Sequence, residues 1–315
     1  MKLSILAGLI AAGMFCPAYA QEKPAGFPGK PVELLTYTDP GTSIDLTLRA
    51  LSPLLSKAYD QPVVTVNRPG GNGVNAMSYL MRRPADGYLL YGHTTTFSSV
   101  MAQQVGGFTG EEVDYLCNIV QEPQAVTVRA ESQFKTLEEL VAYAKANPGK
   151  LRVSGGAGAS AYNRLFAIAF QDAAKIEMTW VPFDSSPEGR RALMAGDVDL
   201  LFTSVGGVEG ARMLAVTSAD RFRLVPEVPT TKELGYDIGD LAAWRGIFVK
   251  RGVPEDVKQY LIWSIRTATE QPEWKAFIGK IGADSRVTCA SEFFDQVKAE
   301  IETTRTRYKA LGIIQ

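Results

Sequence analysis

The fold is decided first by residues 32–58, VELLTYTDPGTSIDLTLRALSPLLSKA, which combine a strand, a turn and a helix. Three of the four residues at 32–35 are apolar, Val32, Leu34 and Leu35, as expected for a buried strand, and the turn Asp39-Pro40-Gly41-Thr42-Ser43 follows them. Apolar residues then recur at alternating steps of four and three, which predicts an amphipathic helix; they are Ile44, Leu48, Leu51, Leu55 and Ala58. A buried strand that leads through a turn into a helix is the repeating unit of an α/β protein.

The same unit recurs along the chain and predicts the overall architecture. Further strands are expected at residues 63–66, 88–91, 151–153, 178–181, 198–202, 213–216 and 247–249. Strands that alternate with helices of this length predict mostly parallel sheets flanked by helices. Residues 115–128 and 226–229 interrupt the pattern and are interpreted as crossings between two blocks. We therefore predict a two-lobed α/β fold, with residues 21–122 and 226–315 in lobe I, residues 123–225 in lobe II, and a ligand cleft between them.

The composition limits the classes of function. The chain has 33 Lys and Arg against 34 Asp and Glu, so it lacks the positive excess of nucleic-acid-binding proteins. A single histidine excludes an H-E-x-x-H zinc site. The sequence has no Gly-Lys-Ser/Thr of a Walker A motif, and Ala161 stands where a dinucleotide fingerprint after Gly156 and Gly158 needs glycine. We expect no metal, no cofactor and no nucleic-acid partner, and a monomer.

The first twenty residues predict a cleaved secretory signal peptide. Lys2 precedes an apolar run over residues 3–15, and Ala18-Tyr19-Ala20 gives the small-x-small cleavage pattern. A lipoprotein signal that acylates Cys16 is the alternative, but Phe15 stands where such signals need a small residue. The mature chain is expected to be free in an exported compartment.

Two cysteines, Cys117 and Cys289, remain after this cleavage. They are too few and too far apart to form the disulfide framework of a small secreted domain. We expect two buried apolar thiols.

Candidate binding chemistry is concentrated in three small polar loops, at residues 40–45, 94–99 and 154–160. Each is expected to follow a strand and to precede a helix, at the edge of the sheet where ligands of open α/β folds bind. Glycine brings the backbone close to a ligand, hydroxyls add donors, and a helix N-terminus adds free N–H groups. Together they predict a site for a carboxylate or phosphate. The alternative is that these loops are ordinary short turns.

Several side chains near these loops have two interpretations each. His93 is a base or ligand donor, or a packed histidine. Asp45 contacts the ligand, or it stabilises the start of its helix. Arg164 and Arg245 pair with a carboxylate, or they are solvated surface groups. Aromatic side chains either line an apolar part of the ligand or pack in the core; they are Tyr37, Tyr162, Phe183 and Trp244.

The order of short motifs resembles the substrate-binding proteins of tripartite tricarboxylate transporters, the Bug-type receptors. These motifs are Asp39-Pro40-Gly41-Thr42-Ser43-Ile44-Asp45, Asn67-Arg68-Pro69-Gly70, Ala85-Asp86-Gly87-Tyr88, Val181-Pro182-Phe183, Ala195-Gly196-Asp197-Val198-Asp199, Leu214-Ala215-Val216-Thr217-Ser218, Val228-Pro229-Thr230 and Trp244-Arg245-Gly246. The resemblance spans nearly all of the mature chain. It implies a periplasmic two-lobed protein that closes on a small organic acid and delivers it to membrane permease components.

The resemblance also implies which residues form the site. In the family, loops of the first lobe hold one carboxylate, which corresponds here to residues 40–45 and 94–96, and a loop of the second lobe, residues 156–160, meets the far end of the ligand together with Phe183 and Asp184. The full set of candidate ligand-binding residues is Tyr37, Pro40, Gly41, Thr42, Ser43, Asp45, His93, Thr94, Thr95, Thr96, Gly156, Ala157, Gly158, Ala159, Ser160, Arg164, Phe183, Asp184, Thr203, Trp244 and Arg245.

The chain departs from the family pattern at the expected cleft. Gly41-Thr42 replaces a usual double glycine, Thr203 stands where the family has Asp, and Arg245 stands where it has Phe. The loss of an acid at 203 argues against an amino-acid ligand, while Arg164 or Arg245 would suit a second carboxylate. The expected ligand is a mono- or dicarboxylate, aromatic acids included. Two alternatives stay open: an exported hydrolase that uses His93, and a receptor that feeds a membrane sensor.

Overall fold

A computed structural model describes residues 22–155, 162–183, 186–205, 208–238, 242–310, 312 and 314–315. Within them the strands are β1 (Val32–Thr36), β2 (Val63–Asn67), β3 (Leu89–Thr94), β4 (Val113–Arg129), β5 (Leu151–Gly155), β6 (Met178–Trp180), β7 (Leu200–Ser204), β8 (Ala211–Val216), β9 (Ala242–Lys250) and β10 (Thr288–Cys289). The α-helices are α1 (Ser43–Tyr59), α2 (Val74–Met81), α3 (Thr96–Ala102), α4 (Leu137–Ala146), α5 (Tyr162–Ala174), α6 (Ser186–Ala195), α7 (Glu255–Thr269), α8 (Pro272–Lys280) and α9 (Ser291–Ala310).

The protein has the predicted α/β architecture, with one parallel block of strands at each end of a mixed sheet. In the first block β1 lies between β2 and β3, and all three strands are parallel. In the second block β5 lies between β6 and β7, also in parallel. The strand order is β2-β1-β3-β9-β4-β7-β5-β6, with β8 and β10 paired to β4.

The two blocks are joined by the long strand β4, which contains the predicted crossing over residues 115–128. Its first part pairs antiparallel with β9, from Val113 opposite Lys250 to Pro123 opposite Ala242. Its last part pairs antiparallel with β7 on one side and β8 on the other. Because β4 spans both blocks and β9 follows it as far as Pro123, these two strands form the connection between the lobes.

Separate hydrophobic cores form on the two blocks. Two clusters cover the faces of the first sheet, one around α1, α7 and α8, and one around α3 and α9. A third cluster covers the second sheet beneath α4 and α5. The segment before β9 packs with this third cluster through Leu234, Tyr236 and Ile238. The chain then returns to the first sheet along β9.

The expectation of two free thiols was wrong, because Cys117 and Cys289 form a disulfide. Strand β10 pairs antiparallel with β4 and sets Cys289 directly opposite Cys117. The two cysteines are 172 residues apart, and only the pairing of β10 with β4 brings them together. The sequence pattern therefore could not predict the bond. The bond fastens the segment before α9 to β4.

Several predicted features lie outside the described residues. They are the signal segment 1–20, the loop residues 156–160 and Asp184. In the described part of the chain, no helix is both long and apolar enough to cross a membrane.

Candidate functional site

The loop between β1 and α1 brings backbone donors to the carboxyl edge of the first sheet. Gly41 adopts a φ of 85°, which glycine tolerates and which turns the chain into α1. Thr42 is the N-cap residue but makes no side-chain capping hydrogen bond. Its hydroxyl lies 2.5 Å from that of Thr38 and donates to the carbonyl of Asp39. The first-turn N–H groups of α1 are therefore not capped by Thr42, which suits them to an anion.

Asp45 holds this loop in place from inside the protein. Its side chain is fully buried; Oδ2 accepts the N–H of Gly41 and Nε of Arg49, both at 2.8 Å. Its Oδ1 accepts Nδ2 of Asn67 at 2.9 Å. Burial alone would raise the pKa of Asp45, but the hydrogen bonds from Arg49, Gly41 and Asn67 outweigh it and keep the pKa below its ordinary value. With both oxygens engaged, Asp45 shapes the loop.

Hydroxyl groups gather where β3 ends beside β1. The hydroxyl of Tyr37 lies 2.7 Å from Oγ1 of Thr94, which donates to Oγ1 of Thr96 at 3.3 Å. Burial raises the pKa of the Tyr37 phenol, while the hydroxyls of Thr94 and Thr96 and the charge of Arg245 oppose that rise. Tyr37 is thus a neutral hydrogen-bonding group beside the loop at 37–45.

His93 is a neutral, packed imidazole. Its ring stacks on Tyr37 with 3.8 Å between centroids. Nδ1 lies 2.9 Å from the backbone nitrogen of Thr94 and 3.0 Å from its carbonyl oxygen, and the ring also hydrogen-bonds with the backbone of Asn72. A Cβ at Gly73 would lie 2.3 Å from Nε2, so glycine is needed for this approach. Burial lowers the pKa of His93 to about 3, although the backbone hydrogen bonds with Thr94 and Asn72 oppose this. Such a group does not act as a base near neutral pH.

Arg245 lies in β9, between β3 and β4, and forms a buried ion pair. Its NH2 group donates to Oε2 of Glu122 at 2.6 Å, and NH1 donates to Oγ1 of Thr47 at 3.3 Å. The side chains of Arg245 and Glu122 are 8% and 17% exposed. Burial lowers the pKa of the guanidinium, and the Glu122 carboxylate counteracts this. The positive charge of Arg245, which was predicted to pair with a ligand carboxylate, is therefore already balanced by Glu122.

Trp244, the residue before Arg245, points into the opposite core. It is 1% exposed, and its indole N–H donates to Oε2 of Glu300 at 2.7 Å. Phe293 packs edge-on against it. The structure does not bring Trp244 to a surface where a ligand could touch it.

The second-lobe candidates are more dispersed. Phe183 is half-buried and packs against a small cluster that includes Leu193 and Leu201. Thr203 lies in β7 opposite Ala125 of β4, and Arg164 lies half-buried in α5.

Asn67 and Glu122 were both absent from the predicted site. Asn67 is the last residue of β2, at the same edge of the sheet as Tyr37, which directly follows β1. It is also the first residue of the Asn-Arg-Pro-Gly motif, so the sequence could have indicated it as a site residue. Glu122 had no such signal, because it is 123 residues from Arg245 and meets it only through the pairing of β4 with β9.

Comparisons with known proteins agree with this architecture. A family model described as tripartite tricarboxylate transporter family receptor matches residues 47–312. A UPF0065 protein from the tcbD-tcbE intergenic region of Pseudomonas sp. (strain P51) is 29% identical over 314 residues, covering 95% of this chain and 91% of the relative.

Two solved structures share the fold. A TctC solute-binding protein from Polaromonas, without ligand, superposes with a TM-score of 0.80 at 23% identity, over 89% of this chain and 98% of that one. R. palustris Rpa4515 with adipate has a TM-score of 0.71 at 24% identity, over 91% of this chain and 98% of that one. Because the family model covers most of its length, the chain belongs to the family of tripartite tricarboxylate transporter receptors.

Proposed function

We propose that the protein is a periplasmic solute-binding protein that captures a small mono- or dicarboxylate and delivers it to membrane permease components. One ligand carboxylate binds at the loop of residues 37–45 and at the threonines that end β3. The observation that carries this proposal is the hydroxyl cluster of Tyr37, Thr94 and Thr96 beside the uncapped start of α1. Donors of this kind recognise a carboxylate without a lysine.

The balance of charge supports recognition by neutral donors. Arg245 is paired with Glu122, and Arg49 is paired with Asp45. A ligand carboxylate in the first lobe therefore meets N–H and O–H groups together with the positive end of the α1 dipole. Hydrogen bonds to an ionised acceptor are stronger than neutral ones, most of all where water is excluded.

Closure about the strands that join the lobes would enclose the ligand. β4 and β9 connect the two sheets, and the register of their pairing shifts between Tyr115 and Cys117 and again between Asn118 and Val120. Such irregularities allow a strand to bend. A ligand that contacts both lobes stabilises the closed arrangement, which is the basis of capture.

A panel of acids tests this function. The mature chain is incubated with adipate, malate, citrate, benzoate and phthalate, and its thermal unfolding is followed. A ligand at 100 times its dissociation constant stabilises the folded state by about 2.7 kcal/mol. If no carboxylate shifts the transition, the proposed function is wrong.

Matched variants test the site itself. Replacing Thr94 and Thr96 by valine keeps the branched shape and removes the hydroxyls, so affinity for the acid found in the panel should fall by tenfold or more, about 1.4 kcal/mol. The control is Thr303→Val, an exposed threonine on α9. Equal affinity in the double variant and the control would move the carboxylate site elsewhere.

The hydrolase alternative gains nothing from the structure. His93, the only histidine, is neutral and has both nitrogens directed at the backbone. An uptake assay in cells that lack this protein separates transport from sensing, since only transport predicts loss of uptake of the bound acid.

A further inference from the structure

A surface groove lies between the end of β2 and α2. It encloses about 750 Å³, and its walls include Asn67, Arg68, Tyr79 and Arg82. This volume can hold several side chains of a partner. None of the predicted site residues lines it.

The groove is positively charged and has an aromatic floor. The guanidinium of Arg68 lies 4.9 Å from the ring centre of Tyr79, and that of Arg83 lies 5.6 Å from the same centre. Arg82 is exposed. The acid on this face, Glu33, is paired with Arg83 at 3.2 Å.

In the described part of the chain, Arg68 and Arg82 form no ion pair. Their charges are therefore not balanced locally, although acids and bases are nearly equal in number over the whole protein. A concentration of arginine around a half-buried tyrosine is typical of surfaces that bind acidic groups of another protein.

We propose that this groove, formed by Asn67, Arg68, Tyr79 and Arg82, is a docking site for an acidic peptide segment of a protein partner. Its concave shape fits an extended segment better than the flat array of headgroups on a membrane. Arg68 and Arg82 pair with carboxylates of the segment, and Tyr79 packs against the methylene groups of those acidic side chains.

The groove is also connected directly to the ligand loop. Asn67 lines the groove, and its Nδ2 donates to the carbonyl of Thr38 and to Oδ1 of Asp45, both at 2.9 Å. Its Oδ1 accepts NH2 of Arg49 at 3.2 Å. The groove and the ligand loop therefore share one residue, Asn67.

A labelled octapeptide of alternating Glu and Asp serves as the probe, with fluorescence anisotropy as the measurement at low and physiological ionic strength. The double reversal Arg68→Glu with Arg82→Glu should weaken binding at least tenfold. The matched control, Arg191→Glu with Lys232→Glu, makes the same change of net charge at two exposed positions that do not line the groove and should weaken it less than threefold. If reversal perturbs folding, Arg68→Gln with Arg82→Gln replaces it.

The outcomes separate the proposal from its rivals. Equal weakening in the groove and control variants would show attraction to overall charge and would overturn the proposal. Binding to phosphatidylglycerol vesicles would also overturn the proposal, if the protein sedimented with the vesicles, the reversal of Arg68 and Arg82 abolished this, and the peptide did not bind. Peptide binding that persists when no acid in the panel binds would leave docking intact and would contradict the proposed function alone.

Discussion

Asn67 donates a 2.9 Å hydrogen bond to Oδ1 of Asp45 and so joins the end of β2 to the first turn of α1. The other oxygen of Asp45 holds the N–H of Gly41, and Asn67 also holds the carbonyl of Thr38. The end of β2 and the first turn of α1 therefore hold the loop between β1 and α1 through a single buried carboxylate. Because that loop carries the proposed carboxylate donors, its rigidity prepares the site before the ligand arrives.

Replacing Asp45 by Asn should destabilise the protein by about 1.5–3 kcal/mol, because the hydrogen bonds from Gly41 and Arg49 lose their buried, ionised acceptor. Urea denaturation measures the effect. Asp39→Asn, an exposed change in the same loop, is the control and should be nearly neutral.

The depressed pKa of Asp45 also predicts an acid effect in the wild type. Its stabilisation is complete above the ordinary Asp pKa and is lost as the pH falls through the lower pKa of the folded state. A variant Asp45→Asn whose deficit stays constant to low pH would contradict this assignment.

Breaking the bond between Cys117 and Cys289 should lower the free energy of unfolding by about 2–5 kcal/mol, since the cross-link restricts the unfolded chain. Urea denaturation with and without a phosphine reductant measures the change. The double variant Cys117→Ala with Cys289→Ala should resemble the reduced wild type and should not respond to the reductant. Identical stability of the oxidised and reduced wild type would contradict this expectation.

His93 should remain neutral across the whole physiological range of pH. Burial lowers its pKa to about 3, so the histidine binds a proton at a higher pH in the unfolded chain than in the folded protein. The free energy of unfolding therefore declines as the pH falls below about 6.5. The untagged protein has one histidine, and its imidazole resonances can be followed by NMR. Titration with a midpoint between pH 5 and 7 would disprove the buried arrangement.

Glu300 should show the opposite dependence on pH. Burial of its carboxyl raises the pKa to about 8, although the hydrogen bond from Trp244 opposes this. The folded state therefore holds a proton that the unfolded state releases, and stability falls as the pH rises toward 8.

The variant Glu300→Gln removes this ionisation. Between the ordinary Glu pKa and pH 8, the free energy of unfolding of the variant should rise relative to that of the wild type by about 1.4 kcal/mol per pH unit, as measured by urea denaturation. Glu302→Gln, an exposed change on the same helix, is the control for the substitution itself. A difference between Glu300→Gln and the wild type that does not vary with pH would show that the Glu300 carboxyl does not titrate in that range.

Local sequence patterns predicted much of the secondary structure. The apolar residues at 32, 34 and 35 and the periodicity from Ile44 to Ala58 correspond to β1 and α1, because each pattern buries one face or stripe of a regular element. The capping box of Thr136 and Glu139 likewise starts α4, since those contacts are only three residues apart. Side chains separated by long stretches of chain were harder to interpret, as His93 and Trp244 show.

The sequence by itself determined the alternation of strands and helices, the exclusion of an H-E-x-x-H zinc site, and the resemblance that the family model confirms, because all of these depend on residues near one another in the chain or on counts. Only the tertiary structure decided that Cys117 bonds Cys289, that Glu122 neutralises Arg245, and that Trp244 faces Glu300 in the core. Each of these contacts joins residues more than fifty positions apart, and the register of strands or the packing of a helix on the sheet sets them. Local propensity carries no information about such pairings, because burial and partner choice are properties of the assembled sheet.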